Sequence, residues 1–301
     1  MANLKEVRTR IESVNSTKQI TSAMKMVAAS KLRKSQNAIM ALRPYAEKFS
    51  EILERSMTNN QQSMVNSQWL TANGQQSTVN RLLIIPLSSN KGLCGVFNAN
   101  VIRATINLIK DEYQTELDNN QLDILCIGSK VEESLKFKKY PIIGNENVLL
   151  DNLTYENAAA FAEKLMKDFE DKKYDKIVFV YNQFKNAATQ ILVTEQFLPI
   201  VNNQQSTINS QQSEIDYIYQ PNKEELLNNM IPKSLKLQVY RILLDSFASE
   251  QGARMISMTQ ATDNATELLK ELNISYNKAR QSAITNELVE IISGANALNN
   301  S

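Results

Sequence analysis

Residues 258–283 read MTQATDNATELLKELNISYNKARQSA, and the spacing inside this stretch decides the fold. Met258, Ala261, Ala265, Leu268, Leu272, Tyr276, Ala279 and Ala283 recur at steps of three and four, the repeat of a coiled-coil seam. Two successive steps of four, through Leu268, Leu272 and Tyr276, form a stutter that relaxes the supercoil locally. The alanines let a partner helix approach closely. No proline follows Pro232, and only Gly252 and Gly294 interrupt what remains, so the pattern predicts one long helix over 216–301.

The other end of the chain has the same character. Residues 1–43 hold neither Gly nor Pro, and Leu4, Val7, Ile11, Val14, Ala28, Leu32, Ile39, Leu42, Ala46, Phe49 and Leu53 share one alternating register. Lys18, Thr21 and Lys25 occupy that register in its middle, with Ser35 a later lapse. A seam that turns polar for two heptads suits a helix that packs on one mate and also faces a second surface. The pattern predicts a long helix over 1–54. Helices of about 50 to 60 residues reach roughly 75–90 Å. The expectation is therefore an antiparallel two-helix coiled coil, N-terminal helix against C-terminal helix, projecting from a globular middle. Two shorter helices folded onto that middle are the alternative. From Leu288 onward, Val289, Ile291, Ile292, Ala295, Ala297 and Leu298 are apolar on more than one face, which calls for burial by something else.

Between the helices, Leu82–Leu87, Ile124–Ile127, Ile177–Tyr181 and Gln190–Thr194 are short runs of strand type. Helical patterns over roughly 98–117, 130–138 and 154–172 alternate with them. That order predicts a central Rossmann-like α/β domain with a partly parallel sheet over 81–215. Residues 55–80 and 202–213 are rich in Asn and Gln and repeat Gln-Gln-Ser from 61, 75, 204 and 211; they read as a linker and a flexible loop.

Composition removes most chemistry. The 301 residues carry 33 Lys and Arg against 32 Asp and Glu, and no histidine. Ser-His-Asp and Cys-His nucleophiles and His-ligated zinc are thereby excluded. Cys94 and Cys126 form no CxxC and read as buried, inert thiols. No apolar run is long enough to span a membrane. Residues 88–95, SSNKGLCG, lie after a strand and before a helix, where backbone N–H groups can cradle a phosphate. They lack the order of a P-loop or a dinucleotide fingerprint, and a tight turn joining helix to sheet is the plainer reading. Glu112/Glu116, Glu132/Glu133 and Glu267/Glu271 lie beside lysines on charged helical faces. No catalytic residue, cofactor site or metal constellation is expected. The first 34 residues hold eight basic side chains against Glu6 and Glu12. A secretory signal fails for want of an apolar core, and a mitochondrial presequence should not continue into a heptad-patterned helix. Such a basic stretch suits nucleic acid or an anionic membrane surface. No aromatic before Tyr45, however, offers bases a stacking partner, and the seam has its own packing use. An acidic protein surface is an equally physical partner.

Four strings then point one way: TSAMKMVAASKLR at 21–33, GLCG at 92–95, ASEQGARM at 248–255 followed by ATDN at 261–264, and ITNELVEIISGA at 284–295. In this order they resemble the gamma subunit of F-type ATP synthase, closely over about residues 3–54 and 216–298 and loosely between. Val96 stands where that family usually has a second glycine, and Asn90 where an acidic residue is common.

The resemblance implies an asymmetric rotor shaft, one copy per complex. Its terminal helices would stand inside a ring of alternating alpha and beta subunits, and its α/β middle would rest on the membrane c-ring beside the epsilon subunit. Catalysis would belong to beta. The chain itself, without catalytic residues or cofactor, would couple transmembrane proton flow to ATP synthesis and hydrolysis. By position, Met24, Lys25 and Arg254 would face the moving acidic loops of beta, and Gln281, Thr285 and Glu287 would bear on coupling. Leu288, Ile291 and Ile292 would lie in a tip held by an apolar sleeve, and the polar gap from Lys18 to Lys25 would contact the ring more than its helix mate. The location implied is peripheral, on the cytoplasmic face of a bacterial inner membrane or on the mitochondrial matrix side. The competing classes are a non-motor coiled-coil adaptor and a nucleic-acid-binding α/β protein.

Overall fold

A computed structural model describes residues 4–58, 81–200 and 223–299. Among the described residues the chain order is α1 (Leu4–Thr58), β1 (Leu82–Pro86), α2 (Phe97–Glu112), α3 (Gln114–Asp118), β2 (Leu122–Cys126), α4 (Ser129–Phe137) and β3 (Ile142–Asn145). There follow α5 (Val148–Asp151), α6 (Tyr155–Glu170), β4 (Lys176–Phe184), β5 (Gln190–Leu198) and α7 (Lys223–Asn299). The Asn/Gln-rich loop at 202–213, most of the linker at 55–80 and the expected helix start at 216 lie outside the described residues; residues 55–58 are the end of α1. The chain divides into two compact units, Met1–Ala29 with Arg254–Ser301, and Ser30–Ala253.

The larger unit is a five-stranded sheet in the order β3-β2-β1-β4-β5. Four strands run parallel, and β5 returns antiparallel against β4. β1 is central and buried at every position, which is why it reads as a continuous apolar run. The pleat sends Leu83 and Ile85 to one face and Leu82 and Ile84 to the other. The first face is covered by α6, through Phe161 and Leu165, and by α7, through Ile231, Leu235, Val239 and Ile242. The second is covered by α2, through Val101 and Ile109, and by α4, through Val131 and Leu135. Each such fully buried side chain contributes roughly 1.5–3 kcal/mol.

Four strand runs are visible in the sequence and the sheet has a fifth. Ile142–Asn145 alternates half-buried and exposed positions and is too short and glycine-bearing to stand out. The helical pattern over 98–117 is in fact two helices, because Tyr113 leaves helical conformation at φ −128 between α2 and α3.

Polar contacts fix the first part of α7 against the sheet. Glu195 of β5 accepts hydrogen bonds from Arg241 Nη2 at 2.5 Å, Gln238 Nε2 at 2.7 Å and Tyr181 Oη at 2.6 Å. Beyond them, Asp245 and Ser249 are buried one turn apart, and among the described residues Asp245 Oδ1 and Ser249 Oγ have no hydrogen-bond partner. Burial pushes the Asp245 carboxyl up to about 6, against the opposing pull of Arg241 and Arg43.

The smaller unit is the helix pair itself. Along α1, Val7 and Ala28 are buried and Leu4, Ile11 and Val14 half-buried. Along α7, Met258 and Ala265 are buried, and Ala261, Leu268, Leu272, Tyr276, Ala279 and Ala283 are half-buried. Burial therefore follows the seam through the stutter. Lys18, Thr21 and Lys25 are half-buried too, and Thr262 Oγ1 donates to Thr21 Oγ1 across the pair at 2.9 Å. The pair therefore stays closed through its polar stretch. A hydroxyl bridge closes the seam there, and long lysine stems can lie along it. Among the described residues no helix is long and apolar enough to cross a membrane.

Candidate functional site: the helix pair and its unpartnered end

Antiparallel helices rise equally, so the Thr21–Thr262 bridge sets the register for the whole pair. Met24 and Lys25 stand opposite Thr259 and Met258, and Ala29 opposite Arg254. Met24, Lys25 and Arg254 are each half-buried and fall within about five residues, or roughly 7 Å, along the pair. Arg254 is engaged within the fold.

The same register puts Leu4 level with Ala279. Beyond Ala283 the described part of α1 supplies no mate, and exposure changes at once. Gln281, Thr285 and Glu287 are exposed, with Thr285 Oγ1 donating to the Gln281 carbonyl at 2.9 Å. Ile284, Leu288, Val289, Ile291 and Ile292 are exposed at 48, 53, 56, 67 and 58%. At 100° per residue these five spread over roughly 160° of the helix circumference, far wider than a seam. An end so apolar is an exposed patch of the kind that marks interaction surfaces.

A second stripe escapes the seam analysis. Ile20 and Val27 are 61 and 56% exposed, and with Ala23 and Met24 they occupy steps of three and four on the outer side of α1. The signal was present as apolar residues off the seam register, beside Lys18 and Lys25.

The remaining candidates resolve into structure. In the β1–α2 turn the Ser88 amide donates to Ile127 O at 2.7 Å and the Ser89 amide to Asn98 Oδ1 at 3.0 Å. Ser88 Oγ accepts from the Val131 amide at 3.0 Å, and Ser89 Oγ donates to Lys91 O at 2.6 Å. These groups join α2 and α4 to the sheet, which makes the two serines a structural joint. Cys94 is buried, its Sγ accepting from Asn98 Nδ2 at 3.2 Å. Burial, aided by Glu132 and opposed by Lys136, pushes the Cys126 thiol up to about 12 and leaves it inert. Glu132 accepts from Lys136, Asn147 and Asn145, which holds its carboxyl below the usual range; it is a bracing residue of α4. Among the described residues no group of His, Cys, Asp and Glu side chains could hold a metal ion.

A family model described as ATP synthase matches residues 3–298. The chain is 50% identical to the ATP synthase gamma chain of Christiangramia forsetii, over 99% of this chain and all of that one. It is also 50% identical to the ATP synthase gamma chain of Flavobacterium johnsoniae, with the same coverage. Among solved structures it is similar to a chain of the Euglena gracilis mitochondrial ATP synthase, at a TM-score of 0.65 and 22% identity, over 98% of this chain and 94% of that one, which speaks to fold alone. A chain of the Tetrahymena thermophila mitochondrial ATP synthase central stalk and c-ring is 25% identical at a TM-score of 0.56, covering 80% of this chain and 99% of that one.

Proposed function

The chain belongs to the gamma-chain family of ATP synthase, and from that premise we propose that it is the rotor of the enzyme's central stalk. The observation that carries this reading is the overhang beyond Ala283, where five large apolar side chains lie exposed around a broad arc of α7. Such a surface costs roughly 1 kcal/mol or more per side chain in water unless something encloses it. A ring of alpha and beta subunits closing on this end would supply the enclosure. The absence of histidine from the sequence fits a subunit that moves the catalytic sites of others.

In this reading the asymmetric faces of the helix pair turn past the beta subunits. Each orientation favours one beta conformation over the others, so rotation biases nucleotide affinity in sequence. Met24, Lys25 and Arg254 form one band of contact, and Ile20, Ala23 and Val27 continue it on α1. Gln281, Thr285 and Glu287 meet the ring where the pair gives way to a single helix, and Leu288, Ile291 and Ile292 turn inside its apolar sleeve. The α/β unit rests on the c-ring beside epsilon, which makes the protein peripheral to a bacterial inner membrane, on its cytoplasmic face.

The test is purification of the native assembly through a tag on this chain. Co-purification of a nucleotide-hydrolysing complex, with no ATP turnover by the pure chain, is the expected result. A pure chain that hydrolyses ATP, or a tagged chain recovered without such a complex, refutes the proposal.

A further inference from the structure

The end of α4 and the turn after it read Lys136-Phe137-Lys138-Lys139-Tyr140. Phe137 is 89% exposed, the most exposed of the large apolar side chains described. Next to it in the chain, Lys138 and Lys139 rim a cleft of about 500 Å³ between this turn, α3 and the last turns of α2. Lys110 stands on the same rim, Tyr140 joins it, and Ile106 and Leu117 supply apolar lining. Lys136 is paired with Glu132 at 2.6 Å, whereas Lys110, Lys138 and Lys139 have no carboxylate within ion-pair distance among the described residues.

An exposed phenylalanine flanked by lysines without carboxylate partners combines the two side-chain types that interfacial segments use, an apolar ring and cations for anionic headgroups. We propose that this turn is a contact for an anionic bilayer surface. Phe137 enters the interfacial layer, and Lys110, Lys138 and Lys139 pair with lipid phosphates, whose surface potential draws juxtamembrane cations. Lysines that follow a helix also answer its C-terminal dipole, but that leaves Phe137 unexplained. A soluble phosphate would use the lysines and leave Phe137 in water. The inference does not depend on the rotor reading, since the pure full-length chain suffices to test it.

The test places a reporter in the turn. Trp69 is the chain's single tryptophan, so the variant Trp69→Phe, Phe137→Trp carries one indole, at position 137. It is mixed with vesicles of phosphatidylcholine alone or of phosphatidylcholine with phosphatidylglycerol, and with brominated-lipid counterparts. The indole emission should shift to the blue and be quenched by brominated lipid only when phosphatidylglycerol is present. Adding Lys138→Glu and Lys139→Glu should abolish both changes. In the otherwise unaltered chain, Phe137→Ser should lower the fraction that sediments with anionic vesicles several-fold. An unquenched indole on vesicles that nonetheless capture the chain overturns the proposal, because the basic N-terminal segment or the apolar end of α7 would then be the binder. So does an unchanged sedimented fraction for Phe137→Ser, and so does the same spectral shift produced by inorganic phosphate without vesicles.

Discussion

A methyl group at Gly128 has nowhere to go. The residue sits at φ +104 in the turn from β2 to α4, and a Cβ there would lie 2.4 Å from the Ser88 carbonyl oxygen. Gly128→Ala combines a disfavoured backbone conformation with a backbone clash and should destabilise the chain by roughly 2–4 kcal/mol, read as a fall in Tm. Asp245 is a cost of the opposite kind, already present in the native protein. Its folded carboxyl titrates at about 6, above the ordinary value of 3.8. The folded state therefore holds the proton more tightly, and the associated stability is complete below about pH 4 and lost as pH rises through about 6. Asp245→Asn stays neutral throughout. It should melt higher than wild type at pH 7.5, by an amount equivalent to roughly 1–3 kcal/mol, and the gap should narrow as the pH is lowered toward 5. A gap that widens on acidification would reject this account of Asp245. Neither residue could be singled out from sequence. Gly128 needs the approach of Ser88, 40 positions earlier, and Asp245 looks like one more solvated charge until the sheet covers it.

The long helices were the most legible elements, because one physical constraint repeats along them. From Leu4 to Ala28 on α1 and from Met258 to Ala283 on α7, every residue on the three-and-four register is buried or half-buried. The spacing within one helix says nothing of its offset against another, so the Thr21–Thr262 bridge was invisible until both were side by side. The stripe of Ile20, Ala23, Met24 and Val27 is invisible to seam spacing for a related reason, because it lies off the seam register. β3 shows the limit for strands, since an edge strand of four residues with a glycine has little apolar signal to give. The helix pair also makes the sharpest element-level prediction. Ala265 is buried on the seam of α7, far from either glycine of the C-terminal segment. Ala265→Pro removes a backbone hydrogen bond and clashes with the preceding turn, at about 3 kcal/mol or more. The kink would also misdirect Gln281, Thr285 and the apolar overhang. ATP-driven proton pumping by membrane vesicles carrying this variant should fall sharply, through failed assembly or hydrolysis without pumping, while Ala265→Ser should pump nearly as wild type.

For the molecule as a whole, its roles divide along its sequence. Residues that build the α/β sheet are spent on packing, and Ser88 and Ser89 in the β1–α2 turn join helices to strands. On the helix pair, the apolar surfaces left uncovered are the outer stripe on α1 and the end of α7. A protein so arranged acts by presenting different faces in turn, and rotation is the most direct thing to observe. Asp171 is exposed at the end of α6, and the two native cysteines are buried, so Asp171→Cys offers a selective point for a probe. With the purified complex fixed to a surface through its catalytic head, a bead on this position should turn continuously in one direction when ATP is supplied and stop when it is withdrawn. Sustained ATP hydrolysis with the bead stationary would contradict the account.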